Sequence, residues 1–200
     1  MSSQATNTDY DLLARMRAGD ESAFAEIYRR HQGKIYRFAL HMTGSPAAAE
    51  DVTQEVFMAL ICQPERFDSL KGSLQAYLYG IGRNHALRHL ERERGLIGSG
   101  ETAIEESPAH SRLSESEAYD VLRDLTRQEM VKRVQEAVQS LPAIYREVVV
   151  LCDLQEMSYA EAAQVLASAA GTIRSRLHRA RGLLLRKLQA LHQAAASQSR

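Results

Sequence analysis

The densest chemistry in the chain lies near its C-terminus. Arg174, Ser175, Arg176, His178, Arg179, Arg181, Arg186 and Lys187 are interleaved there with Ile173, Leu177, Ala180, Leu184 and Leu188. Apolar residues three and four apart make one helical stripe. The 3.6-residue period then turns Arg174, Ser175, His178 and Arg179 outward together. Guanidinium and hydroxyl donors on the N-terminal half of a helix can read base edges in a DNA major groove, where Arg can grip guanine with two hydrogen bonds. Arg176 and Arg181 are better placed for phosphates, which fix position and salt dependence but carry little sequence information. An ordinary solvated basic helix end fits less well, because cations favour the last helical turn and these begin at the first.

A second group is acidic. Asp51, Gln54 and Glu55 share the polar side of another helical stretch. Asp51 and Glu55, four apart, could hold a divalent ion only with a third carboxylate, and none is at hand; no nucleophile stands beside a base either. The pattern therefore argues against an enzyme, and no cofactor or metal is expected. Cys62 and Cys152 lack a second ligand at metal spacing and read as buried thiols.

Charge is unevenly spread. The 200 residues hold 25 basic and 25 acidic side chains, a formal net charge of zero. Residues 157–190 nevertheless carry a net charge of five positive, and residues 99–125 five negative. No segment approaches the roughly 20 apolar residues of a membrane span, and residues 1–11 have no apolar run. The reading is a cytoplasmic protein without membrane insertion.

Helical spacing recurs and strand alternation is absent, so the fold class is all-α. A short helix is expected near 12–17. Asp20 caps a helix with Phe24, Ile27, Tyr28, Ile35, Phe38 and Met42 inward, stopped by Gly44. Ser45-Pro46 opens a second, with Val52, Val56, Leu60 and Ile61 inward, ended by Pro64. Ser73 begins a third, with Leu74, Tyr77, Leu78, Ile81 and Leu90 on its stripe. The period then lapses through glycines, serines, Pro108 and the acidic run. It resumes with Met130, Val134, Val138 and Leu141. Pro142 starts a further helix with Ile144, Tyr145, Val148, Val149 and Cys152. Ser158-Tyr159-Ala160-Glu161 is a capping box. The helix it opens, ending near Ala167, and the one from about Thr172 have helix-turn-helix proportions. Residues beyond Leu191 read as a frayed tail. The organisation is two small helical domains, 10–95 and 126–191, joined by an acidic flexible linker, 96–125.

Leu141-Pro142, Tyr145-Arg146-Glu147-Val148, Met157-Ser158-Tyr159-Ala160-Glu161 and Gly171 through Arg181 resemble region 4 of extracytoplasmic-function (ECF) sigma factors. Glu50-Asp51-Val52-Thr53-Gln54-Glu55-Val56-Phe57 and Tyr77-Leu78-Tyr79-Gly80-Ile81-Gly82-Arg83-Asn84 resemble region 2 of the same family. Two blocks in the right order make the resemblance specific. Three features depart from it: Tyr77 stands where Trp is usual, Arg88 where an acidic or amide residue is common, and the turn 167–170 lacks its usual Gly. The first two bear on promoter melting and sequence preference, the third on turn rigidity.

The resemblance implies a factor that binds core RNA polymerase and directs promoter-specific initiation. Asp51, Gln54 and Glu55 would dock on the polymerase. Arg174, Ser175, His178 and Arg179 would read the upstream element, with Arg176 and Arg181 on phosphates. The downstream element, melted to single strand, would meet Phe67, Ser73, Tyr77, Arg83 and Asn84, since a flipped base needs a pocket and a stacking face. Tyr77 also suits core packing. The acidic linker would run through the polymerase's RNA path. An anti-sigma factor is a further implied partner. A stand-alone helix-turn-helix regulator would explain only the C-terminal half and leave the Asp51–Phe57 and Tyr77–Asn84 blocks idle.

Overall fold

The computed structural model describes residues 8–97 and 127–198. The expected linker lies outside the described residues, apart from the first two, which end a helix. No strand occurs among the described residues. Among the described residues eight α-helices follow one another: α1 (Asp9–Arg17), α2 (Glu21–Thr43), α3 (Pro46–Cys62), α4 (Leu74–Ile97), α5 (Arg127–Gln139), α6 (Ala143–Val149), α7 (Tyr159–Val165) and α8 (Ala170–Gln198).

Local chemistry sets most of the boundaries. Asp20 accepts from the Ser22 and Ala23 amides to cap α2, and its bonds to Ser22, then Arg15, pull its carboxyl down to about 2. Gly44 closes α2 at φ 78°, and a Cβ there would also meet the Gln139 side chain at 3.1 Å. Ser45 and Pro46 start α3 as expected. Ser73 Oγ accepts from the Ala76 amide at the start of α4. Unexpectedly, α6 runs on into a π-helical turn, Val150–Leu154. The last helix begins at Ala170 and continues to Gln198, so the segment beyond Leu191 is helical rather than frayed.

In the first lobe α1 packs on α2, and α2, α3 and α4 close around Phe38, Leu60, Leu78 and Tyr79, with Phe38 and Tyr79 edge to face at 5.2 Å. In the second, α5, α6 and α7 pack on α8 around Val148, Leu151, Ile173 and Leu177. Three side chains expected inward are exposed: Tyr28, Ile61 and Ile144. Tyr28 and Ile61 instead line a groove between α2 and α3. Neither thiol is buried as expected, Cys62 being exposed and Cys152 half-buried.

The lobes are docked rather than separate. α4 meets α7, and α2 meets α5, α6 and the π turn. At the C-terminus of α2 the Gly44 amide caps Leu40 O at 2.8 Å, and the carbonyls after it lie beyond the helix's own ladder. Gln139 Nε2 donates to the Leu40 and His41 carbonyls at 3.3 and 2.6 Å. Arg146, only 6 % exposed, donates to Met42 O at 2.5 Å, to Gln139 O, and to Leu141 O at 3.1 Å. One guanidinium thus joins the negative ends of α2 and α5. Beside it Tyr79 donates to Gln155 Oε1 at 2.9 Å, and Arg83 pairs with Glu147 at 3.0 Å.

Candidate nucleic-acid interface

The upstream-reading unit is α7, a four-residue turn and α8. Ser158 and Glu161 cap α7 reciprocally, and those bonds hold the Glu161 carboxyl below its ordinary value. α7 ends in a Schellman arrangement: Ser168 N donates to Ala163 O and Ala167 N to Gln164 O, with Ala167 at φ 47°. Glycine takes that left-handed conformation without strain; alanine does not.

From this turn α8 emerges with Ile173, Leu177 and Ala180 buried. Arg174, Ser175, His178 and Arg179 are all exposed on the opposite side, forming one strip. The Arg174 guanidinium lies 5.9 Å from the centre of the Tyr159 ring, and Ser175 Oγ donates to Thr172 O at 3.0 Å. The two expected phosphate contacts are placed differently. Arg181 is committed to Asp153 by two bonds of 2.6 and 3.2 Å, which raise its already high pKa. Arg176 is half-buried, with its charge felt at Glu147.

The downstream residues do not form one surface. Phe67 is only 5 % exposed, its ring stacked on Tyr10 at 6.1 Å and tilted against Tyr77 at 5.5 Å. Tyr77 is half-buried, and burial pushes its phenol up. Ser73 is half-buried and spends its hydroxyl on the cap of α4. Asn84 is exposed, whereas Arg83 is occupied by Glu147 across the lobe junction. Burial raises the Glu147 carboxyl despite the guanidinium beside it. An open depression lies between α1 and the 67–72 loop, lined by Tyr10, Arg17, Arg66, Phe67 and Lys71. Sequence reasoning missed Tyr10 and Arg17. It also passed over Leu70, which is 94 % exposed at the loop tip. The signal available was an aromatic and a cation, seven apart and so on one face of the short first helix.

On α3, Asp51, Gln54 and Glu55 are exposed together, as their spacing demands. Gln54 also lines the groove of Tyr28, Phe57, Met58 and Ile61, together with Glu50. Among the described residues no group of three or more His, Cys, Asp or Glu side chains could hold a metal ion, and no helix is long and apolar enough to cross a membrane.

The first lobe thus presents an exposed acidic helix and the second a helix-turn-helix with an exposed basic strip. Residues 27–95 match Sigma-70 region 2 and residues 132–184 match Sigma-70, region 4. ECF RNA polymerase sigma factor SigE of Mycolicibacterium smegmatis is 32 % identical over 184 residues, covering 90 % of this chain and 68 % of the relative. SigW of Bacillus subtilis is 27 % identical, covering 90 % and 96 %. SigM of Mycobacterium tuberculosis is 30 % identical, covering 90 % and 85 %. Among solved structures, CnrH in complex with the cytosolic domain of CnrY superposes with a TM-score of 0.65 at 26 % identity, covering 93 % of this chain and 97 % of that one. The sigma factor RpoE in complex with the anti-sigma factor NepR from Bartonella quintana gives 0.61 at 25 %, covering 83 % and 96 %. The chain belongs to the ECF RNA polymerase sigma factor family, and its function is to direct RNA polymerase to promoters.

Proposed function

We propose that the α8 strip of Arg174, Ser175, His178 and Arg179 reads the upstream promoter element, while α3 docks on core polymerase through Asp51, Gln54 and Glu55. The observation that carries this reading is the joint exposure of all four strip residues on one side of α8, opposite a fully buried Ile173, Leu177 and Ala180. Donors fixed on a rigid helix can meet base edges with little ordering cost. Exposed carboxylates on α3 set register and encounter rate against a basic partner.

Downstream, the melted strand meets the 67–73 loop and the adjoining face of α4 with Asn84. The buried Phe67 ring and Tyr77 then shape the depression from beneath rather than stacking as open platforms. Arg83 reaches DNA only when its pair with Glu147 parts. Arg176 supplies backbone affinity, and Arg181 does so only on leaving Asp153. The region 2 part spans 10–95, the linker 96–125 and the region 4 part 126–191. The protein acts in the cytoplasm, performs no chemistry of its own, and binds an anti-sigma factor, as the sigma factor RpoE binds NepR in its complex.

The test is in-vitro transcription with purified core polymerase on a randomised promoter library. Enrichment of two separated elements, one lost in Arg179→Ala, supports the reading. Tight duplex binding by the free protein, with no dependence on polymerase, would replace it with a stand-alone regulator.

A further inference from the structure

We infer that α1 is a brace for the downstream loop, with Arg17 and Tyr10 as the positioning residues that hold it in shape to receive a melted base. This rests on the reading that the 67–73 loop meets the single strand. The loop has almost no regular structure to stiffen it: a single 3-10 turn, Pro64–Arg66, precedes it, and the cap of α4 follows. Beyond a local turn at Asp68, the loop is held from outside by two side chains of α1.

Arg17 stands in the last turn of α1, where a cation ordinarily serves its own helix end. Here its guanidinium leaves the helix and grips the loop. Nε and Nη2 donate to Pro64 O at 3.2 and 2.7 Å, and Nη2 also donates to Phe67 O at 2.8 Å. A planar fork spanning two carbonyls three residues apart fixes both their separation and their direction. Tyr10, two turns earlier, stacks on Phe67 and donates its hydroxyl to Gly72 O at 3.4 Å. The two residues therefore hold the turn before the loop, the loop's first residue and its end from one rigid helix.

The brace is itself anchored. Leu12 and Leu13 are buried, and Asp9 is tied to α2 by His31 at 2.8 Å and Arg30 at 3.3 Å. The Thr8–Asp11 capping box closes the start of α1. Between these clamps the loop offers its exposed tip, Ser69, Leu70 and Lys71, beside the depression. Within it, Asp68 Oδ1 accepts from the Leu70 amide at 3.0 Å, so the tip is turned rather than trailing. A site that accepts a base gains affinity from being formed beforehand. Loss of the grip should therefore show as lost discrimination, not merely lost stability.

The experiment uses holoenzyme reconstituted from the full chain and core polymerase. Binding is measured to the single-stranded downstream oligonucleotide selected by the wild type, and to a scrambled one of equal length. Arg17→Ala should cut the preference between them by about ten-fold, the scale on which supporting hydrogen bonds tune a site. Arg17→Lys, which cannot span two carbonyls, should fall between. Affinity for the upstream duplex should stay that of the wild type. Tyr10→Ala, at a half-exposed ring, should lower the same ratio, and it decides the matter should Arg17→Ala unfold the chain. A wild-type ratio in the Arg17 variants, or in Tyr10→Ala where Arg17→Ala unfolds, overturns the brace. A fall in upstream affinity equal to the downstream one also overturns it, by showing a general loss of fold. Leu70→Ala and Lys71→Glu separate the two levels. If they leave the oligonucleotide ratio intact, the loop does not meet the strand and the underlying reading fails too. If they lower it while Arg17→Ala does not, only the brace is wrong.

Discussion

Replacing Arg146 with methionine keeps most of the side chain's volume and removes a single group, the guanidinium between the two lobes. Three carbonyls then lose a charged donor: Met42 at the end of α2, Gln139 at the end of α5, and Leu141 just beyond it. A buried acceptor left unpaired costs about 1–3 kcal/mol. Loss of a cation from two helix ends adds up to about 2 kcal/mol. Release of the desolvation penalty of burying the guanidinium offsets part of this. The net expectation is about 3–5 kcal/mol, the sum of these losses less that release. For a chain of this size that lowers the melting midpoint by roughly 6–20 °C. Thermal melts by circular dichroism give the midpoint, and small-angle scattering reports whether the lobes part. A midpoint within about 2 °C of wild type, with unchanged scattering, would refute the assignment of Arg146 as the tie between lobes.

Arg179→Ala should relax upstream sequence preference by about 1–3 kcal/mol if the contact is bidentate to guanine, read by promoter selection. Asp51→Arg with Glu55→Arg should abolish co-purification with core polymerase while leaving the melt unchanged, because both side chains are exposed; a collapsed melt would instead make them structural. Ala167→Gly should stabilise the protein by about 0.5–1 kcal/mol in denaturant titration, since it relieves a left-handed alanine at φ 47° and gives back part of that gain in unfolded-chain entropy. Burial holds the His31 imidazole below its ordinary pKa in spite of Asp9, so the unfolded chain takes up the proton first as pH falls. Its contribution is therefore complete above about pH 6.5 and lost below it, towards the folded value. His31→Phe should show a flatter midpoint between about pH 7.5 and 5.5 than the wild type, and equal slopes would remove His31 from the account.

What the sequence made legible is what short-range chemistry decides. Asp20, Ser45-Pro46, Ser73 and the Ser158–Glu161 box each mark a helix start by bonds spanning two or three residues, and each forms as its spacing predicts. The α8 strip was readable for the same reason, since Ile173, Leu177 and Ala180 fix one side of a helix and so fix the other. Arg146 and Glu147 were not readable. They sit inside a quoted motif, yet nothing in its period says that two adjacent charged residues are only 6 % and 2 % exposed. Their partners, Met42 and Arg83, are 104 and 64 residues away. Arg17 was missed likewise, because its work is done on carbonyls 47 and 50 residues downstream. The π turn escaped too, having no residue type that signals it.

The sequence pointed to two helical domains joined by an acidic linker; among the described residues the two are docked through named contacts. Docking leaves the proposed contact surfaces unequal. The α8 strip and the α3 carboxylates stay exposed, so neither requires the lobes to move. Arg83 is different, because its charge is spent on a carboxylate that is itself buried. Freeing Arg83 for a phosphate or base means exposing Glu147 at the same time. Burial raises the Glu147 carboxyl, so hydration of the charged form favours the opened arrangement and works against the docked one. The carbonyls of Leu40, His41 and Met42 lose Gln139 and Arg146 on opening and meet water in exchange, which returns part of the loss. The resistance to opening therefore comes from the Arg146 tie together with the packing of α4 against α7 and of α2 against the π turn. That is where a partner seeking to hold the lobes together, or to part them, has the most to act upon.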